Sequence, residues 1–332
     1  MRTTNLALVS LLSACVAPIG DRDHDNFGPD AGVDGSSATG ACDDLKIVTM
    51  NLTVSGASNF NNLPTTCWKL NGKLVITGPA ITSVAKLGDL REVTDLEIND
   101  ADIAKFDTKA AVDVSGDIYI HNNDKLTDIA NIVAKSTVKS IRVEYNPLLP
   151  NLGGLNRASI VSGATSITNN LKLTAVDFTS MQRLEGGVTI SDNTVLTSIQ
   201  LSSLQSVGNV SISRNPALTT LSNMSSMTNV HGAFSIDDND ALVSLGQFGS
   251  SITVDTNVTI ANNAKLTDTG AIDHATRIFG TVAINNNAQL DVSKAHDIGC
   301  CVATGAFTAT GNKTNQCNGN HYCLNNQQNC YR

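Results

Sequence analysis

The stretch Val188-Thr189-Ile190-Ser191-Asp192-Asn193-Thr194-Val195-Leu196-Thr197-Ser198-Ile199 is answered 22 residues on by Val210-Ser211-Ile212-Ser213-Arg214-Asn215-Pro216-Ala217-Leu218-Thr219-Thr220-Leu221. In each copy an aliphatic anchor is followed by Asn three places later and by Leu six places later. The anchors run Ile76, Ile98, Ile120, Val143, Ile167, Ile190, Ile212, Ile236, Ile260 and Ile284, at spacings of 22, 22, 23, 24, 23, 22, 24, 24 and 24 residues. A fixed period of this size marks a solenoid, in which each turn buries its side chains against its neighbours.

A second apolar residue stands two places before most anchors: Leu74, Leu96, Ile118, Ile141, Val188, Val210, Phe234, Val258 and Val282, with Thr165 breaking the series. Apolar residues two apart with polar ones between describe a short half-buried strand. Stacked in register, these strands form a parallel sheet and a rod about 45–50 Å long, at about 4.8 Å per turn. The fold class is therefore an all-β solenoid of about ten turns of 22–24 residues.

The Asn column comprises Asn123, Asn146, Asn170, Asn193, Asn215, Asn239, Asn263 and Asn287. Where each strand ends the chain must bend, which leaves main-chain groups unpaired inside the stack. An inward amide has both donor and acceptor and satisfies them, so the column reads as a structural ladder. A single turn Asn is usually exposed; eight in phase are better explained by an interior role.

These copies resemble the receptor L-domain, the leucine-rich-repeat-like right-handed β-helix of insulin- and epidermal-growth-factor-type receptor ectodomains. Cys67-Trp68-Lys69-Leu70-Asn71-Gly72-Lys73-Leu74-Val75-Ile76 is similar to that family's opening turn. Similar repeats occur in lipid-anchored fungal cell-wall proteins and bacterial surface lipoproteins. The resemblance covers residues 67–299 and implies a fold; folds host many functions, so it implies no ligand. Nothing in the chain resembles a kinase or a membrane-spanning helix, and a signalling receptor is not implied.

The N-terminus supplies an address. Met1-Arg2 precedes the apolar run Leu6–Leu12, which ends in Leu12-Ser13-Ala14-Cys15. The run is too short to span a bilayer but suits an export signal. The four residues resemble a bacterial lipobox, which implies cleavage before Cys15 and lipidation of its thiol. Ala17 at the second position implies sorting to the outer membrane, the alternative being secretion or the periplasm. Residues 16–41 are acidic and Gly-rich and read as a linker. Asp21, Asp23 and Asp25 alternate as in a calcium loop, but Asn26 replaces the turn glycine and Gly32 the bidentate Glu, so the spacer is the better account.

The remaining seven of the 8 cysteines lie at the ends: Cys42 and Cys67, then Cys300, Cys301, Cys317, Cys323 and Cys330. In an exported chain they read as disulfides of an N-terminal cap (42–66) and a C-terminal cap (300–332), with one thiol left odd. No zinc spacing is present.

Thirty acidic against 22 basic residues give a net charge of −8, with no basic stripe for nucleic acid. Outward positions of the later strands are Ser166, Thr189, Ser211, Ser235 and Thr259, a flat hydroxyl surface. The early turns instead bring Tyr119, His121, Arg142, Glu144 and Tyr145 together. This is the candidate ligand face, since exposed aromatics and Arg make good anchors; the bland reading is a solvated surface with one Arg–Glu pair.

A second column, Asp192, Arg214 and Asp238, suggests the acids of polysaccharide-active β-helix enzymes, but Arg214 between the acids suits a charge-alternating structural ladder. The six histidines (His24, His121, His231, His274, His296 and His321) show no metal-ligand spacing or nucleophile elbow. Five glycosylation sequons, at Asn51, Asn209, Asn223, Asn257 and Asn312, read as chance matches in an Asn-, Ser- and Thr-rich chain.

The sequence thus predicts a lipid-anchored surface protein without cofactor or metal. It meets the membrane through its N-terminal lipid only and shows its solenoid face to an unknown protein or glycan at the cell surface. The alternatives are an envelope spacer without a ligand and a polysaccharide-active enzyme.

Overall fold

A computed structural model describes Cys42, residues 44–291 apart from positions 223, 250, 251, 271, 273, 274 and 276, and residues 305–313. Cys15 with its lipobox, the 16–41 linker, and Cys300, Cys301, Cys317, Cys323 and Cys330 lie outside the described residues. The fold is an all-β solenoid of about 11 turns with every strand pair parallel.

The predicted strands form the main sheet: Trp68–Thr77, Leu90–Asn99, Asp117–His121, Ser140–Glu144, Thr165–Thr168, Val188–Ser191, Val210–Ser213, Phe234–Asp237, Val258–Ala261 and Val282–Asn285. Anchor pairs with anchor throughout, for example Ile167 with Ile190 and Ile190 with Ile212. The sheet also extends one level past the anchors at each end. Lys46–Val48 and Leu52–Val54 pair with Trp68–Thr77, and Phe307–Thr308 pairs with Val282–Asn285. The C-terminal level has Ala309 at the anchor phase and the N-terminal level precedes the first counted anchor, Ile76, which is why the count from sequence stopped at about ten.

Two further sheets line the other sides of the solenoid, one over seven turns and one over three. Seven two-residue strands, from Thr137–Val138 through Ile160–Val161, Arg183–Leu184, Ser206–Val207, Asn229–Val230 and Thr253–Val254 to Arg277–Ile278, make the second; Ala175–Asp177, Ser198–Gln200 and Thr220–Leu221 make the third. Each short strand gives one inward side chain to the core, such as Val207 and Val230. The interior is continuous: all anchors and the Leu six residues beyond, from Leu126 to Leu290, have no exposed surface. Thr165 is buried in place of an aliphatic residue and its hydroxyl has no partner, a local cost within an otherwise apolar row.

The Asn column is an interior ladder. Asn193 Nδ2 donates to Ser191 O at 2.9 Å, to the preceding anchor's carbonyl, Ile167 O, at 3.0 Å, and to Asn215 Oδ1 at 3.2 Å. The pattern repeats from Asn123, and it continues one rung further than the sequence suggests, to Asn312, whose Oδ1 accepts from Asn287. Asn312 was missed because Ala309 stands where an aliphatic anchor should be. At the other end Ala101 occupies the ladder position and only donates, through its main-chain N–H, to Asn123 Oδ1.

A corner residue with positive φ precedes each ladder position. Asp100, Asn122, Tyr145, Asn169, Asp192, Arg214, Asp238, Asn262 and Asn286 all have φ between 52° and 60°, with Gly78 and Gly311 in the same phase. Asn, Asp and Gly tolerate this left-handed conformation best. Tyr145 and Arg214 are the exceptions.

The N-terminal end is closed by a disulfide between Cys42 and Cys67. Trp68, fully buried beside it, donates from Nε1 to Leu87 O at 2.9 Å. Among the described residues no helix is long and apolar enough to cross a membrane.

Candidate functional site

The parallel register builds the early-turn face. Glu97, Tyr119, Arg142 and Ser166 are successive members of one outward column; Asn99, His121, Glu144 and Thr168 form the next. Because i and i+2 share a face of a strand, Tyr119 and His121 lie side by side. Their rings stack at 3.8 Å between centroids with planes 17° apart. The Arg142 guanidinium carbon lies 5.9 Å from the Tyr119 centroid, within cation–π range.

The expected Arg142–Glu144 pair is not formed. Glu144 Oε2 instead accepts from Tyr119 Oη at 3.4 Å. Residues 142 and 144 share a strand, whereas the Tyr119 hydroxyl reaches across from the neighbouring turn. Burial, then the Glu144 charge, pushes the Tyr119 phenol up from its ordinary pKa. Tyr145 stands apart from the other four. It leaves the strand at φ 55°, is 55% exposed, and has no hydrogen bond or ring contact from its side chain among the described residues.

Beside Tyr119 the sheet surface sinks into a depression of about 390 Å³. Its charged walls are Lys73, Glu97, Asp117, Lys139 and Arg142; Leu96, Gly163 and Ala164 contribute its apolar and small surface. Most of these charges are already paired. Lys73 meets Glu97, and Lys139 Nζ lies 2.6 Å from Asp117 Oδ2, while Ser140 Oγ donates to the other Asp117 oxygen at 2.5 Å.

Burial raises the carboxyls of Glu97 and Asp117, but Lys73 with His121, and Lys139 with Ser140 and Arg142, together outweigh it, and both sit below the ordinary value. His121 Nε2 is 3.6 Å from Glu97 Oε1, within ion-pair reach but too far for a hydrogen bond, and is buried without a hydrogen-bond partner. Arg142 makes no ion pair among the described residues. Sequence reading missed Lys73, Glu97, Asp117 and Lys139. The strand phases already placed Glu97 in the Tyr119 column; Lys73 and Asp117 come from strands that start earlier than the repeat implies.

The later columns are as plain as expected: Ser166, Thr189, Ser211, Ser235 and Thr259 follow one another in register. In the corner column, Arg214 forks onto Asp192, with Nε and Nη2 at 2.7 and 2.8 Å from its two oxygens. That bond, more than any other influence, lowers the Asp192 carboxyl. A general acid needs the opposite shift. Among the described residues no three His, Cys, Asp or Glu side chains cluster in a way that could hold a metal.

No protein-family model, curated protein or solved structure matches the chain. The surface geometry therefore carries the functional argument.

Proposed function

We propose that the protein is a recognition module, lipid-anchored at the bacterial outer membrane, whose early-turn sheet face binds a protein or glycan at the cell surface. The observation that carries this reading is Arg142. It is an exposed guanidinium without a carboxylate partner, beside a tyrosine already ordered by His121 and Glu144, at the rim of a depression whose other charges are paired. Arg and Tyr are the side chains that most often anchor interfaces, and ordering before binding lowers the entropic cost of association.

The address rests on Leu12-Ser13-Ala14-Cys15 after a short apolar run. The fold reading within it is a receptor-L-domain-like surface lipoprotein, supported by the repeat phrase and by the parallel solenoid.

The test is saturable binding by the region from residue 42 onward to a glycan panel and to envelope proteins. Binding that vanishes in a folded Tyr119→Ala, Arg142→Ala double variant supports the reading. Equal retention by both forms removes the face from it. An envelope defect on deletion without any saturable ligand favours a spacer, and glycan turnover lost in Asp192→Asn favours an enzyme.

A further inference from the structure

The second sheet carries a linked set of polar side chains over three turns. Ser206 opens strand Ser206–Val207, His231 follows Asn229–Val230, and Asp255 follows Thr253–Val254. His231 Nε2 lies 3.1 Å from Ser206 Oγ, and His231 Nδ1 lies 3.2 Å from Asp255 Oδ2. With the proton on Nδ1 the imidazole donates to the carboxylate, and Nε2 accepts from the serine hydroxyl. Nucleophile, base and orienting acid are thus within hydrogen-bond reach, and such sets are recognised by geometry, not by sequence order.

The repeat explains the assembly. Val207, Val230 and Val254 pair in register, so the residues one beyond them, Gly208, His231 and Asp255, follow one another along the rod. Gly208 has no side chain to stand between the imidazole and Ser206. A Cβ there would meet Glu185 O at 2.5 Å and Gly187 N at 2.8 Å, so the position admits only glycine. Ser206 is paired in register with Arg183 on one side and Asn229 on the other. Arg183, whose Nε lies 3.8 Å from Glu185 Oε1, and Asn229 are thus its neighbours on the adjacent turns.

We infer that Ser206, His231 and Asp255 form an acyl-transfer site for small carboxylic esters, separate from the Tyr119–Arg142 face. Ser206 Oγ attacks the ester carbonyl carbon and its proton passes to His231 Nε2. The tetrahedral adduct collapses with cleavage of the C–O bond, and the leaving alcohol takes the proton from Nε2. Water, with His231 again as base, then attacks the acyl-serine, releasing the carboxylic acid and restoring the hydroxyl.

His231 and Asp255 are 56% and 41% exposed, so solvent competes with the imidazole–carboxylate bond. The contribution of the base accordingly belongs at the low end of general-base catalysis, about 100-fold. The open surrounding favours small acyl groups.

The experiment treats the full chain with a fluorophosphonate probe, which loses fluoride to a reactive serine, and maps the adduct by mass spectrometry. Hydrolysis of p-nitrophenyl acetate is followed in parallel. The expected result is a single adduct on Ser206 that is absent in Ser206→Ala and formed about 100-fold more slowly in His231→Ala. Asp255→Asn should slow it by a smaller factor, with all variants keeping the parental thermal midpoint. No adduct on Ser206, or labelling at an unchanged rate in His231→Ala, overturns the assignment.

Discussion

Asn215 Oδ1 accepts two hydrogen bonds from Asn193, one from its main-chain N–H at 3.1 Å and one from its side-chain Nδ2 at 3.2 Å. Each rung thus ties two turns through both main chain and side chain. Replacing Asn193 or Asn215 with Leu deletes these bonds and leaves the Ile167 or Ile190 carbonyl region short of a donor. The expected cost is about 1–3 kcal/mol, read as a fall in the thermal or urea midpoint. Equal midpoints for variant and parent contradict an energetic role for the ladder.

Tyr145 offers a test in the opposite direction. A bulky residue at φ 55° is disfavoured, while Asn and Asp fill this phase in most other turns. Tyr145→Asn should therefore stabilise the fold by about 1 kcal/mol, shown by a higher urea midpoint. If Tyr145 contributes to recognition, the same variant should bind less well, the usual trade between stability and a strained functional position.

The two exceptions in the corner column show where sequence reading stopped. The anchors, the Asn and the Leu were legible because each lies at fixed phase and is apolar or amide-bearing throughout. Only Asp192, Arg214 and Asp238 of the corner stood out, as a charged column; its left-handed backbone did not, although seven of its nine non-glycine members are Asn or Asp, because Tyr145 and Arg214 interrupt the series. The second and third sheets went unseen for another reason. Their strands are two or three residues long, and one buried Val, Leu or Ile per strand sets no alternation of its own. Within the candidate face, the Tyr119–His121 neighbourhood follows from strand phase. The side-chain choice of Glu144 for Tyr119 does not, since rotamers decide it.

Acid should weaken the molecule through its paired carboxylates. Arg214 lowers Asp192, and Glu97 and Asp117 are lowered against burial by their combined partners, Lys73 and His121 for the one and Lys139, Ser140 and Arg142 for the other. A folded-state pKa below the unfolded one gives stability that is present above the unfolded value, about 4, and lost as pH falls through the folded value. Asp113 has the reverse sign: burial, outweighing Lys135, raises its carboxyl, so its ionised form opposes folding above that raised pKa. Asp113→Asn should raise the thermal midpoint at pH 7, with the difference vanishing near pH 3. A lower midpoint at pH 7 counts against the burial argument.

The Cys42–Cys67 bridge spans a sequence separation of 25 residues and ties the first turn to its lid. Losing it in Cys42→Ser, Cys67→Ser should cost about 3 kcal/mol by releasing the unfolded chain. Turns of a solenoid depend on near neighbours, so hydrogen exchange should rise mainly in strands Lys46–Val48 and Leu52–Val54 and fade toward the middle. Uniform loss of protection along the rod would indicate one cooperative unit instead.

The central claim, that recognition is confined to the early turns, is tested most directly by comparing two double variants for capture of surface glycans and proteins. One is Tyr119→Ala, Arg142→Ala; the other is Thr189→Ala, Ser211→Ala on the same sheet further along. The account predicts saturable capture by the parent and by the second variant, and at least a tenfold weaker interaction for the first, as expected when an interface anchor worth about 2 kcal/mol is removed. Capture lost in the second variant and kept in the first would contradict it.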